Sequence, residues 1–266
     1  MARSSYKSEN VTGEQLKLVQ LLNEYEIEYF HLSEIENLVN QKFKNIGEVV
    51  ENLADKKILI RFERAKYANI NFNNQNVIGT FISQNSAIAY WSALSIHGLT
   101  SRFPNKVFVQ TTNRKRDKTI LGVDYKFVTL PPIKRAGVIT LGYGNNSYPI
   151  TDVGKTIIDC FDLQKYSGGF DNLIQAFAQA KLNGKELIEY SEAINNLSVV
   201  KRFGYLSELF EKKGMKEFVK YAKTKVNRKY NQIDSSGVDE GEFIPEWRLR
   251  LNVSRFELLQ LRDEAY

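Results

Sequence analysis

Two histidines, one cysteine and a scatter of carboxylates are the side chains with which this chain could transfer protons, attack a substrate or hold a metal. His97 precedes Gly98 at the end of an apolar run, where its expected role is to cap a carbonyl or to pack, and His31 has no partner motif; no histidine-based triad can be read from them. Two histidines and Cys160 cannot complete a tetrahedral zinc site without borrowing carboxylates, and one cysteine cannot form an intramolecular disulfide. No metal and no cofactor are therefore expected, and a reducing compartment fits. A metal-dependent nuclease needs acidic groups, often with a lysine, converging on one point. Asp124, Asp152, Lys155 and Asp159 offer those types, but the last three, spaced three and four apart, read as an ion-pair face on one helix. Gly142-Tyr-Gly-Asn-Asn-Ser147 lacks the Lys-Ser/Thr of a phosphate-binding loop and reads as a hairpin turn. The chain is expected not to be an enzyme, with a nuclease-like second domain as the alternative.

The basic side chains point elsewhere. Residues 1–41 carry three basic and seven acidic side chains, residues 42–66 seven basic and four acidic, so the charge of the first quarter is polarised. Lys42, Lys44 and Asn45 lie just before a predicted helix, and Arg61, Arg64 and Lys66 on or beside a predicted hairpin. Lysine and arginine neutralise phosphates or donate to guanine, and asparagine can pair bidentately with adenine in the major groove. Asn45 also suits a helix cap, and each of these charges also suits an ordinary solvated surface. Further on, Arg114-Lys115-Arg116 and Lys201-Arg202 are dense basic pairs and runs, expected as a second nucleic-acid or partner surface.

The elements that must position these groups follow from capping and periodicity. Thr12-Gly-Glu-Gln15 is a capping box ahead of apolar positions at helical spacing, predicting a helix over 13–26. Ser33-Glu-Ile-Glu36 and Asn45-Ile-Gly-Glu48 repeat the pattern, the latter ahead of Ile46, Val49, Val50 and Leu53. Residues 58–62 and 67–70 then read as two strands around the turn Glu63-Arg-Ala-Lys66. Three helices and a hairpin are the winged helix-turn-helix order, in which the third helix enters the major groove and the hairpin touches the backbone or minor groove. A protein-interaction role for such a domain is the competing reading.

Residues 86–98 read as an apolar helix closed by Gly98. Strands are predicted at 107–111, 125–130 and 138–141, and a helix capped by Thr151-Asp152. Helices are then predicted near 170–181, 185–195, 198–213 and 216–226. Trp247, Leu249, Leu251 and Val253 alternate with polar residues, predicting a strand that returns to the sheet, and Ser254-Arg-Phe-Glu257 caps a last helix. The expected fold class is α+β: a winged helix over residues 1–76 and a mixed α+β domain over 77–266. A 42% hydrophobic content supports real cores. No signal-like segment opens the chain and no stretch approaches 18 apolar residues, so a cytoplasmic protein without membrane contact is expected.

Several blocks of the second domain resemble a known family. Ser92-Ala-Leu-Ser-Ile-His-Gly-Leu-Thr100, Pro104-Asn-Lys-Val-Phe-Val109 and Arg114-Lys-Arg116 are similar to a stretch of the AbiEi-type antitoxins of bacterial abortive-infection systems. So are Pro149-Ile-Thr-Asp152 with Lys155-Thr-Ile-Ile-Asp-Cys160, Lys165-Tyr-Ser-Gly-Gly169, and Val200-Lys-Arg-Phe-Gly-Tyr-Leu206. The resemblance spans residues 86–253; the family usually places a glycine in the wing where this chain has Ala65-Lys66. It implies a phage-defence antitoxin of a type IV toxin-antitoxin system, acting as a transcriptional regulator whose winged helix represses its own operon at inverted repeats of double-stranded operator DNA. It also implies that the second domain counteracts a nucleotidyltransferase-like toxin, without need of a stable complex; direct masking of the toxin is the alternative.

Overall fold

The computed structural model describes residues 10–265 and divides the chain into two compact units. The first runs to Ile82 and includes Tyr143–Ser147; the second takes Ser83–Gly142 and the chain from Tyr148 onward. Among the described residues there are eleven α-helices and three sheets, a mixed α+β architecture, and no helix is long and apolar enough to cross a membrane.

The first unit holds α1 (Gly13–Glu24), β1 (Tyr29–His31), α2 (Ile35–Leu38), α3 (Ile46–Asp55), β2 (Leu59–Glu63), β3 (Lys66–Asn69) and α4 (Gln75–Phe81). The Thr12 box forms in full: the Thr12 hydroxyl accepts from the Gln15 amide, and the Gln15 side chain accepts from the Thr12 amide. The pattern at Ser33 does not cap. Helix α2 starts after Glu34 without a side-chain cap, because the Ser33 hydroxyl bonds His31 Nδ1 at 2.7 Å instead. Leu18, Leu22, Phe30, Ile35, Val49, Val50, Leu53, Leu59 and Tyr67 form one buried core. Strand β1, not predicted, pairs antiparallel with β3, giving the sheet order β1-β3-β2. The expected domain border between residues 76 and 77 falls inside α4, which Asn74 caps by accepting from the Asn76 and Val77 amides.

The second unit opens with β4 (Ser86–Ile88) and α5 (Tyr90–Ile96), followed by β5 (Val107–Thr111), β6 (Lys118–Ile120), β7 (Val123–Thr129), β8 (Val138–Leu141) and β9 (Tyr148–Thr151). The six strands form one mixed sheet in the order β6-β7-β5-β4-β9-β8. Residues 86–88 are thus strand rather than the first turn of a helix. They pair with Val109–Thr111, and a short apolar run carries no period to separate the two states. The turn at 142–147 joins the antiparallel strands β8 and β9.

Helices α6 (Val153–Asp162), α7 (Phe170–Gln179), α8 (Gly184–Ile194), α9 (Leu197–Leu209) and α10 (Lys216–Thr224) follow. Edge-on and tilted ring contacts among Phe161, Phe177, Phe203 and Phe218 run through this helical block. The chain then makes a separate three-stranded sheet from β10 (Asn231–Gln232), β11 (Glu242–Ile244) and β12 (Leu249–Leu251), in the order β10-β12-β11. The strand over 249–251 is real, but it pairs with these two neighbours rather than returning to the large sheet. Gly204 on α9 lets Trp247 seat there, since a Cβ would stand 2.2 Å from the indole. Helix α11 (Arg255–Asp263) ends the fold with the expected Ser254 capping box.

Candidate nucleic-acid interface

Helix α3 turns Val49, Val50 and Leu53 into the core of the first unit, which leaves its N-terminal end and polar face outward. Asn45 is the N-cap: its Oδ1 accepts from the Glu48 amide at 3.3 Å and its Nδ2 donates to Glu48 Oε2 at 3.1 Å. The side chain is exposed but engaged at both ends, so any base contact by Asn45 exchanges a bond of the helix cap. Lys42 is 79% exposed and lies 3.4 Å from Glu36. The Phe43 amide, donating to Glu36 Oε1 at 2.8 Å, together with Lys42 holds the Glu36 carboxyl below its ordinary value. Lys44 is exposed. It borders a cleft of about 600 Å3 lined also by Thr12, Gly13, Asn45, Glu48 and Asn52, so the starts of α1 and α3 face the same space. Helix N-termini favour anions, because their first amides lack intrahelical acceptors and the helix dipole is positive there.

The hairpin distributes its cations differently. Arg64 stands exposed at its tip, beside Ala65 with φ of 61°. Arg61 on β2 is bound back to α3 through Glu51, at 3.1 Å, and the Tyr67 hydroxyl donates to the same carboxylate at 2.6 Å. Burial, with the Glu51 bond next, pushes the Tyr67 hydroxyl up to about 12. Lys66 is not a surface contact: its side chain is 12% exposed, and Nζ donates to Glu63 at 2.9 Å and to the Ile82 carbonyl at 2.8 Å. Of the six side chains expected to read DNA, Lys42, Lys44 and Arg64 remain available, Arg61 is braced against α3, Asn45 caps a helix, and Lys66 is packed.

In the second unit, Arg114 and Arg116 are exposed while Lys115 lies with its ammonium 5.4 Å from the Phe127 ring centre. The run is pinned by Asp117, which accepts from Lys126 Nζ at 2.8 Å and from the Phe127 amide at 3.1 Å. Lys201 and Arg202, expected on a surface, are buried. Lys201 Nζ donates to the carbonyls of Lys229 at 2.6 Å and Arg248 at 3.4 Å and to Asn227 Oδ1 at 3.2 Å. Arg202 Nε donates to the Gln232 carbonyl at 2.9 Å. Both brace the chain that enters the small sheet. A cation can be buried without a carboxylate when carbonyl oxygens replace its water, and here burial, then the neighbouring cations, lowers the Lys201 amine to about 8.

The acidic residues weighed for a nuclease do not gather into a donor set. Lys155 and Asp159 form an ion pair inside the core rather than on a helix surface, at 0% and 6% side-chain exposure, and burial still raises Asp159 to about 6. Asp152 caps α6 through the Lys155 amide and accepts from the Tyr190 hydroxyl. Asp124 accepts from Thr119 Oγ1 on the neighbouring strand. Among the described residues no three His, Cys, Asp or Glu side chains are placed to hold a metal ion. His97 donates Nε2–H to the Thr151 carbonyl at 2.7 Å, and the Cys160 thiol is buried and pushed up by that burial.

No protein-family profile matches the chain, and no curated protein matches it. Its fold is similar to that of a solved structure, the RV2827C protein from Mycobacterium tuberculosis, with a TM-score of 0.65 over 99% of each chain at 11% sequence identity.

Proposed function

We propose that the first unit is a winged helix-turn-helix that binds double-stranded DNA, with α3 in the major groove and the β2–β3 hairpin as the wing. The order of helices and strands, closed by a three-stranded antiparallel sheet, supports this reading. The observation that carries it is the sorting of the cations. Lys42 and Lys44 at the start of α3 and Arg64 at the hairpin tip stay in solvent, Arg61 is exposed as well but paired with Glu51, and Lys66 is committed to holding the hairpin. Phosphate neutralisation needs long cations that are exposed at the points where a groove-bound helix and its wing meet the backbone.

The chain as a whole acts as a cytoplasmic, non-enzymatic transcriptional autorepressor and antitoxin, opposing a nucleotidyltransferase-like toxin encoded beside it. This part rests on the resemblance of the blocks between residues 86 and 253 to AbiEi-type antitoxins. Inverted repeats upstream of its own operon are the expected operator. A mobility-shift assay on that region tests the DNA half: retardation at low salt that fades as salt rises is expected, and none at low salt overturns it. Co-expression with the neighbouring toxin tests the other half. Growth rescued by the full chain, and still rescued when Lys44 and Arg64 are both alanine, is expected; toxicity unrelieved by the intact chain overturns it.

A further inference from the structure

The small sheet β10-β12-β11 is apolar on one face. Leu249, Leu251 and Ile244 turn into the core of the second unit, and because side chains alternate along a strand, Arg250 of β12 and Phe243 of β11 point the other way. These two are cross-strand partners in register. Phe243 is 52% exposed, and the Arg250 guanidinium lies 4.9 Å from its ring centre. Tyr230, which leads into β10, meets the Phe243 ring edge-on, with centres 5.0 Å apart at 88°. The Arg248 guanidinium lies in turn 5.3 Å from the Tyr230 ring centre. Two rings and two guanidinium planes thus form one cluster on the outward side of the sheet.

The charge around this cluster is unbalanced. Asp239 pairs with Arg250 at 2.8 Å, Glu242 with Arg255 at 3.0 Å and Glu246 with Lys223 at 2.7 Å. Among the described residues no carboxylate pairs with Arg248, nor with Arg228 and Lys229, which are exposed just before Tyr230. After burial, Lys229 and Arg248 are among the cations that lower the Lys201 amine, so positive charge accumulates here.

Rings and cations together select among partners. Duplex DNA keeps its bases stacked on one another, which gives an outward ring nothing to stack on. An anionic lipid surface or an acidic peptide engages the cations and leaves the flat rings without a flat counterpart. Unpaired nucleotides use both, their bases stacking on aromatic rings and arginine planes while their phosphates meet the surrounding cations. Asn227 and Asn231 lie on either side of Tyr230 in the chain, and their amides suit a ribose 2′-hydroxyl, which is donor and acceptor at once.

We propose that the outward face of the small sheet binds single-stranded RNA, with one base stacked on Phe243 and the next on the plane of Arg248 beside Tyr230. Arg228 and Lys229 meet the phosphates. The surface lies in the second unit, whereas the proposed duplex contacts all belong to the first.

The test is fluorescence polarisation of the full chain with a labelled, unstructured RNA of about 12 nucleotides, beside the same RNA annealed to its complement and a DNA strand of the same sequence. The single-stranded RNA is expected to bind saturably, the DNA strand more weakly and the RNA duplex weakest. Phe243→Leu keeps an apolar side chain but removes the ring, and should weaken the RNA by about 10-fold, whereas Phe243→Tyr should stay within about 2-fold of the intact chain. Arg248 holds φ of 50°, a conformation that glycine adopts freely. Arg248→Gly should therefore keep the melting temperature while also weakening the RNA by about 10-fold. Lys44→Ala combined with Arg64→Ala should bind the RNA as the intact chain does, which separates this surface from the duplex contacts. Absence of binding to single-stranded RNA, equal or tighter binding of the duplex or the DNA strand, or unchanged affinity in Phe243→Leu and Arg248→Gly would each overturn the proposal.

Discussion

Lys44 in the first unit and Lys201 in the second each lie within two residues of another basic side chain, Lys42 and Arg202, yet one stands in solvent and the other is sealed inside. The difference lies in what surrounds each ammonium. Lys44 precedes a helix whose apolar stripe points away from it. Lys201 belongs to α9, which is buried from Val199 through Ser207, and meets two carbonyls and an amide oxygen that replace its hydration. A basic residue that has replaced its water with protein oxygens is a structural brace, whereas one still hydrated can trade water and counterions for phosphate. In the proposed reading, binding falls to the first set of cations and stability to the second.

The largest effect expected from breaking this division is in the core of the second unit. Lys155→Met strands the Asp159 carboxylate, and a decrease of about 3–5 kcal/mol is expected in chemical denaturation, with DNA retardation by the folded fraction retained. Lys201→Met takes the Lys201 donor from the Lys229 carbonyl and Asn227 Oδ1, while the Arg248 carbonyl keeps the Asn231 amide, and should cost about 3 kcal/mol, again without changing operator affinity. If either variant failed to bind DNA at full stability, the assignment of these cations to structure would fail. Because burial lowers the Lys201 amine to about 8 against an ordinary value of about 10.4, the unfolded chain holds more protons between those values. Its contribution to stability is therefore least favourable below about pH 8 and improves as pH rises toward about 10; Lys201→Met should flatten that rise.

In the first unit the ordering reverses. Lys44→Ala combined with Arg64→Ala should leave stability within about 0.5 kcal/mol, as exposed substitutions do, while weakening operator binding by about 10-fold or more at moderate salt. The smallest effect belongs to the wing tip. Ala65 holds φ of 61°, a left-handed conformation that costs a residue with a Cβ about 1 kcal/mol. Ala65→Gly should accordingly stabilise the first unit by about 0.5–1 kcal/mol without altering the salt dependence of binding.

What could be read in advance follows the range of the forces involved. The caps at Thr12, Asp152 and Ser254 are bonds across three residues, so the residue types point to them, although the same pattern at Ser33 gives its hydroxyl to His31 instead. The helices of the second unit announce themselves through apolar spacing. Strand β1 does not, since three residues at Tyr29–His31 become a strand only through pairing with Lys66–Ala68. Residues 86–88 and 249–251 are ambiguous for the same reason: which partner an apolar segment meets is settled by the whole chain. The site shows the same limit. Position before α3 and at the hairpin marks Lys42, Lys44 and Arg64, but nothing local tells that Lys66 reaches the Ile82 carbonyl or that Lys201 reaches residues 227, 229 and 248.

The most direct measurement is the salt dependence of operator affinity for the intact chain and for the Lys44→Ala, Arg64→Ala double variant. If these two side chains neutralise phosphates, the slope of log affinity against log salt should be shallower in the variant by about 2 per bound chain, because each neutralised phosphate adds about 0.9 to the slope. Equal slopes in the two proteins, with both folded, would contradict the assignment of the interface to the start of α3 and the hairpin tip.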